Sequence, residues 1–185
     1  MIAAILALAL VHESGVSSSR IETVRDDVRV TFTFSLEDLA ALVRLDTNRD
    51  GLVDPDEWAR ALPAIFGYLG AHFQIDGCRS EGDGSMGPGR VRATDLRTPV
   101  TLALRFLPTR PLDSLKIRCD LFREHGGNPR HIAELPGGGT VVFDADRREA
   151  ERPLAPSDGR WTWTAGALAT LAAMTAGLIA TAKAC

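Results

Sequence analysis

The chain has 185 residues, 45% of them hydrophobic, and a formal net charge of -3. That length suffices for one domain with a sizeable core that needs no covalent staples. The near-balanced charge gives no basis for nucleic-acid binding, and the arginines scattered along the chain read as solvated faces.

Residues 1–11, Met-Ile-Ala-Ala-Ile-Leu-Ala-Leu-Ala-Leu-Val, form an apolar run too short to span a bilayer, and Ala7-Leu8-Ala9 resembles a signal-peptidase site. Export is the expectation, with a buried first strand as the alternative because no basic residue precedes the run. Residues 12–152 are then the exported, β-rich body. Ser19 to Val24 is expected to pair across Arg25-Asp26-Asp27 with Val28-Arg-Val-Thr-Phe-Thr-Phe34, in which apolar and polar residues alternate.

Ser35 stands ahead of Leu36, Leu39, Leu42 and Val43, a helical spacing, with Asp38 three residues on as in a capping box. The next segment, 46 to 57, reads Asp-Thr-Asn-Arg-Asp-Gly-Leu-Val-Asp-Pro-Asp-Glu. Calcium is a hard cation that takes about six to eight oxygens. Asp46, Asn48 and Asp50 offer side-chain oxygens at loop positions 1, 3 and 5, and Gly51 sits where the chain must turn sharply. Leu52 offers its backbone carbonyl at position 7, Asp54 acts at position 9, and Glu57 closes the shell bidentately at position 12. This is the pattern of an EF-hand calcium loop.

Downstream, Asp54 suits an N-cap and Pro55 the first helical position, while Trp58, Ala61, Leu62, Ile65, Phe66 and Leu69 form an apolar stripe. Pro63 inside that stripe predicts a kink that divides 55–73 into two short helices. The helix-loop-helix is thus expected over 35–73. No second loop accompanies it: Asp144 to Glu149 lacks a turn glycine, and Gly82-Asp83-Gly84 lacks downstream ligands. A lone loop of this kind is read as a structural clamp, with affinity in the range of extracellular modules, about 10⁻⁴ to 10⁻³ M.

Glu81 to Gly89 is glycine-rich and acidic and is expected to be a flexible hairpin tip. Val100 to Phe106, Leu115 to Phe122 and Thr140 to Phe143 are further strand candidates. Together these elements predict an α+β fold, an antiparallel β-sandwich-like domain with an inserted EF-hand helix-loop-helix. Cys78 and Cys119 either form a disulfide, as an oxidising compartment would allow, or remain two thiols, and Cys185 is terminal. His125 and His131 lie in a Gly/Asn/Pro turn without a zinc-type partner, and His72 lies on the second helix beside Phe73, so all three read as structural histidines. A metal-dependent hydrolase using His125 and His131 is the weaker reading. No catalytic residue and no enzymatic activity are expected.

Residues 153–160 read as a Pro/Ser/Asp/Gly linker, and 161–182 carry no charge. As a helix the latter would reach about 33 Å, enough to cross a bilayer core, with Trp161 and Trp163 at one interface and Lys183 at the other. A single membrane span is the expectation and a buried core helix the alternative. Ala165, Ala169, Ala173 and Gly177 recur every four residues, a small-residue stripe suited to packing on a membrane-protein partner. Export places the body outside; Arg147, Arg148, Arg152 and Arg160 run against the positive-inside tendency, which a cleaved signal would override.

Several stretches carry a family resemblance: His12, Ser17-Ser-Ser-Arg-Ile-Glu22, Phe34-Ser-Leu-Glu-Asp-Leu39, the 46–57 loop, Leu62-Pro-Ala-Ile-Phe-Gly-Tyr-Leu69, Asp76-Gly-Cys78, Cys119-Asp-Leu-Phe-Arg-Glu-His125 and Arg130-His-Ile-Ala133. In this order they resemble the extracytoplasmic N-terminal region of HupE/UreJ-like membrane proteins, hydrogenase and urease accessory proteins. The resemblance spans residues 12–150 and implies a region that precedes a polytopic, permease-like part associated with nickel or cobalt. Here one candidate span follows, and the family's transport residues have no counterparts. What carries over is the loop at Asp46, Asn48, Asp50, Asp54 and Glu57. The expectation is a calcium-binding, membrane-anchored accessory domain at the cell membrane, its body on the extracytoplasmic or periplasmic side. A metal-sensing or delivery component of a nickel/cobalt transport assembly is the alternative.

Overall fold

A computed structural model describes residues 16–125 and 128–154, with the side chain of His125 excepted. The described residues up to Pro153 belong to one compact unit. The 1–11 run, most of the linker, the 161–182 segment with Ala165, Ala169, Ala173 and Gly177, and Cys185 lie outside the described residues. Among the described residues, no helix is long and apolar enough to cross a membrane.

In chain order the elements are β1 Val16–Val24, β2 Asp27–Ser35, α1 Leu36–Leu42, β3 Leu52–Val53, α2 Pro55–His72, β4 Phe73–Ile75 and β5 Cys78–Met86. Then come β6 Val91–Arg92, β7 Pro99–Pro108, β8 Ser114–Cys119, β9 Arg130–Glu134, β10 Thr140–Phe143 and β11 Glu149–Pro153. The result is a sheet-rich α+β fold with, among the described residues, two α-helices. Its larger sheet has the order β10-β9-β1-β2-β7-β5, a smaller one β11-β8-β4, and β3 pairs with β6 alone.

The alternation in β2 and β7 builds the centre. Val28, Val30, Phe32 and Phe34 stand opposite Phe106, Leu104, Leu102 and Val100, so every apolar residue of one strand meets one of the other on the buried face. The β1–β2 hairpin forms where expected, across a turn that holds Arg25 at φ 57. Phe73 of β4 brings the smaller sheet onto this face, with its ring 5.0 Å from Phe32 edge-on and 6.0 Å from Phe106. Leu115, Ile117 and Cys119 of β8 and Ile75 of β4 are buried beside it. On the outer face of the larger sheet, exposed Arg20 pairs with Glu134 and Arg105 with Glu81, which adds solubility more than stability.

Three expectations are corrected. The larger sheet is not wholly antiparallel, because β1 and β9 run parallel with Val16 opposite Arg130 and Arg20 opposite Glu134. Parallel neighbours need a long crossover, and the chain between β1 and β9 supplies it. Pro63 does not divide the second helix: α2 is continuous from Pro55 to His72. Pro63 and Ala59 are exposed, so the carbonyl freed by the missing N–H meets water, while buried Trp58, Ala61, Ile65 and Leu69 hold one axis against the core.

Glu81 to Met86 is not a hairpin tip but the outer part of β5, paired with β7 and bulged between Gly82 and Gly84. Its glycines answer to α2. A Cβ on Gly82 would lie 2.8 Å from the Phe66 ring, and one on Gly87 would lie 2.6 Å from the Trp58 indole. Trp58 also donates its indole N–H to Ser85 Oγ at 3.3 Å. Of the two alternatives left open for Cys78 and Cys119, the structure has two free thiols, and they belong to different sheets. Burial pushes the Cys119 thiol up to about 12 and also raises that of Cys78.

Candidate metal centre

The 46–57 segment connects α1 to α2, and both helix starts are locally encoded. Ser35 Oγ accepts the Asp38 N–H at 3.2 Å while Asp38 Oδ2 accepts the Ser35 N–H at 3.0 Å. Asp54 and Glu57 repeat the reciprocal arrangement: Asp54 Oδ1 accepts the Glu57 N–H at 2.8 Å and Glu57 Oε2 accepts the Asp54 N–H at 3.3 Å. The first helix is shorter than expected. It ends at Leu42, and Val43 turns extended at φ -141, which lets Leu45 reach the core at 4% exposure.

Within the loop each predicted ligand side chain accepts a backbone amide. Asp46 Oδ2 takes the Gly51 N–H at 3.0 Å, Asn48 Oδ1 that of Asp50 at 2.8 Å, and Asp50 Oδ1 that of Leu52 at 2.9 Å. Such short-range turns are what Asp and Asn favour. Gly51 lies at φ 82, the left-handed conformation that glycine adopts at least cost, and Arg49 at φ 63 is the loop's second left-handed residue.

Glu57 is the buried charge of the site, 1% exposed. Its Oε1 accepts the Thr47 N–H at 2.7 Å, the Thr47 hydroxyl at 2.8 Å and the Asn48 N–H at 3.1 Å. The Thr47 hydroxyl is the strongest influence in holding this carboxyl down to about 2; the amides of Asn48, Thr47 and Asp54 add to it, and together they outweigh burial, which acts in the opposite sense. The last residue of the loop is therefore tied to its second and third. Thr47, which the pattern of ligand positions leaves unassigned, is its principal partner.

Asp46 Oδ1 is different: it is buried and has no hydrogen-bond partner. A cleft of about 450 Å³, with apolar walls that include Leu36, Leu45 and Val53, opens beside Asp46, Arg44 and Arg49. Asp46, Asn48, Asp50, Leu52, Asp54 and Glu57 are thus gathered in one closed loop. Their carboxylates are turned onto amides, and among the described residues no three His, Cys, Asp or Glu side chains converge closely enough to hold an ion. The unsatisfied Asp46 oxygen, in an all-oxygen donor set, nonetheless fits a hard cation.

Neither His131 nor His72 takes part in a metal-ligating cluster among the described residues, and the side chain of His125 lies outside them. His131 is 3% exposed, with Nδ1 2.8 Å from Ser17 Oγ and Nε2 2.9 Å from Ser19 Oγ, and its ring lies among Phe32, Phe73 and Phe143. Burial lowers its pKa to about 3, so it is a neutral structural residue. His72 stacks on Tyr68 with ring centroids 4.3 Å apart. The chain matches no protein-family model, and no curated protein is significantly similar to it.

Proposed function

We propose that this chain is a calcium-binding accessory protein, a β-sandwich-like extracytoplasmic domain with an inserted EF-hand loop, anchored in the cell membrane by residues 161–182. It acts by binding rather than by catalysis. Asp46, Asn48 and Asp50 would hold the ion with side-chain oxygens, Leu52 with its carbonyl, Asp54 through water and Glu57 with both carboxylate oxygens. The bound ion would supply positive charge that neutralises this acidic loop and ties its two ends together.

The observation that carries the reading is the buried Asp46 Oδ1, which lacks any partner, whereas the buried Glu57 carboxylate accepts from Thr47, Asn48 and Asp54. Glu57 argues for modest affinity. Its carboxylate already accepts from Thr47, Asn48 and Asp54, and those bonds must be exchanged for metal contacts. Weak binding suits a compartment rich in calcium, the setting that the apolar 1–11 run and the resemblance to HupE/UreJ-like proteins imply.

Terbium(III), a hard cation of similar size, reports on this site directly because Trp58 follows Glu57 in the chain. Excitation of the tryptophans in the full-length chain is expected to produce terbium emission that calcium displaces and that Trp58→Phe and Asp46→Asn each abolish. Emission that survives Asp46→Asn would refute the assignment.

A further inference from the structure

The calcium loop is held from outside by a segment that sequence patterns do not single out. Residues 91–98 touch it at its middle: Leu52 pairs with Arg92 and Val53 with Val91, and the Ala93 N–H donates to the Gly51 carbonyl at 2.9 Å. The same segment then reaches the start of α1, where the carbonyls of Thr98 and Leu96 accept the N–H groups of Leu36 and Glu37, each at 2.9 Å. Those are helix-terminal donors that α1 itself cannot satisfy. Between these attachments the segment is stiffened by two turns, with the Asp95 N–H on the Arg92 carbonyl at 2.9 Å and the Thr98 N–H on the Asp95 carbonyl at 3.0 Å.

This ladder fixes the direction of one ligand. In an antiparallel pair, hydrogen-bonded and non-hydrogen-bonded residue pairs alternate. Because Ala93 bonds to Gly51, the adjacent Leu52–Arg92 pair is of the non-hydrogen-bonded kind, and Leu52 turns both its N–H and its C=O away from β6. The Leu52 N–H accordingly lies on Asp50 Oδ1 at 2.9 Å, on the loop's own side. Its carbonyl shares that direction.

We propose that residues 91–98 form a built-in strap that positions the calcium loop, presenting the Leu52 carbonyl to the ion and doing for a lone loop what a second loop would do in a pair. The proposal rests on the calcium reading above. Ala93 is its most direct test, as a positioning residue that touches no ligand atom. Ala93→Pro removes the N–H that holds Gly51, and calcium affinity of the full-length chain should fall about ten- to a hundredfold, the usual effect of losing an outer-shell partner. Ala93→Ser, which keeps the N–H, should restore the parent affinity, and the melting temperature of each variant in chelator shows whether it folds. An Ala93→Pro variant that folds and binds calcium like the parent overturns the proposal.

A second readout needs no variant. Calcium should slow amide hydrogen exchange at Val91 and Ala93 together with Gly51 and Leu52. Slowing confined to residues 46–57 would overturn the strap while leaving the calcium site standing. Absence of any calcium binding by the parent would instead remove the underlying reading, and the strap with it.

Discussion

Acidification from pH 7 to about 4.5 is expected to remove about 2 to 3 kcal/mol of folding stability through His131 alone. The imidazole is buried with one serine hydroxyl on each ring nitrogen, and a neutral ring has one donor and one acceptor to match them. Ser17, Ser19, Phe32, Phe73 and Phe143 face it from β1, β2, β4 and β10, and none of them is titratable in this range. Its folded pKa of about 3 lies below the ordinary 6.5. Between those values the unfolded chain binds a proton that the folded chain does not, so stability rises with pH across the window and is complete above 6.5. The slope approaches about 1.4 kcal/mol per pH unit. Glu57, shifted from 4.5 to about 2, loses most of its contribution as the pH falls from 4.5 toward 2, so above pH 4.5 the histidine dominates the change. Urea unfolding at the two pH values tests this. A His131→Leu variant combined with Ser17→Ala and Ser19→Ala should lose the dependence, since removing all partners of a buried polar group leaves none unsatisfied. Equal stability of the parent at both pH values would contradict the assignment.

Calcium is expected to stabilise the folded chain by a comparable amount. At a free concentration about 100 times the dissociation constant, a ligand that binds only the folded state adds about 2.7 kcal/mol, or about 5 to 10 °C in melting temperature for a domain of this size. Glu57→Gln should abolish that rise. The amide keeps an oxygen for the Thr47 and Asn48 donors, so the loop retains its shape, but the charge and the bidentate grip on the ion are gone. A melting temperature that rises equally with calcium in the variant would show that the ion binds elsewhere.

Both sites differ in how far their residues could be read from the chain. The loop is legible because its chemistry is local: Asp46, Asn48, Asp50 and Glu57 answer amides within eleven residues, and Gly51 occupies the left-handed turn its type suggests. The strap is not legible, because a two-residue pairing such as Val91 with Val53 leaves no period to detect. The same contrast runs through the sheets. The β2 and β7 strands show clean alternation because one face is wholly buried. By contrast β5 is a strand only because β7 pairs with it and α2 needs Gly82 and Gly87 bare, which inverts the usual meaning of a glycine-rich run. Alternation is also blind to direction, so the parallel β1–β9 pair that brings Ser17 and Ser19 to His131 could not be read from either strand.

Calorimetric titration of calcium into the full-length chain, beside Glu57→Gln, tests the central claim most directly. One ion should bind per chain with a dissociation constant of about 10⁻⁴ to 10⁻³ M, and the variant should show no saturable heat. A parent chain that shows no saturable binding up to about 10 mM calcium would contradict the account.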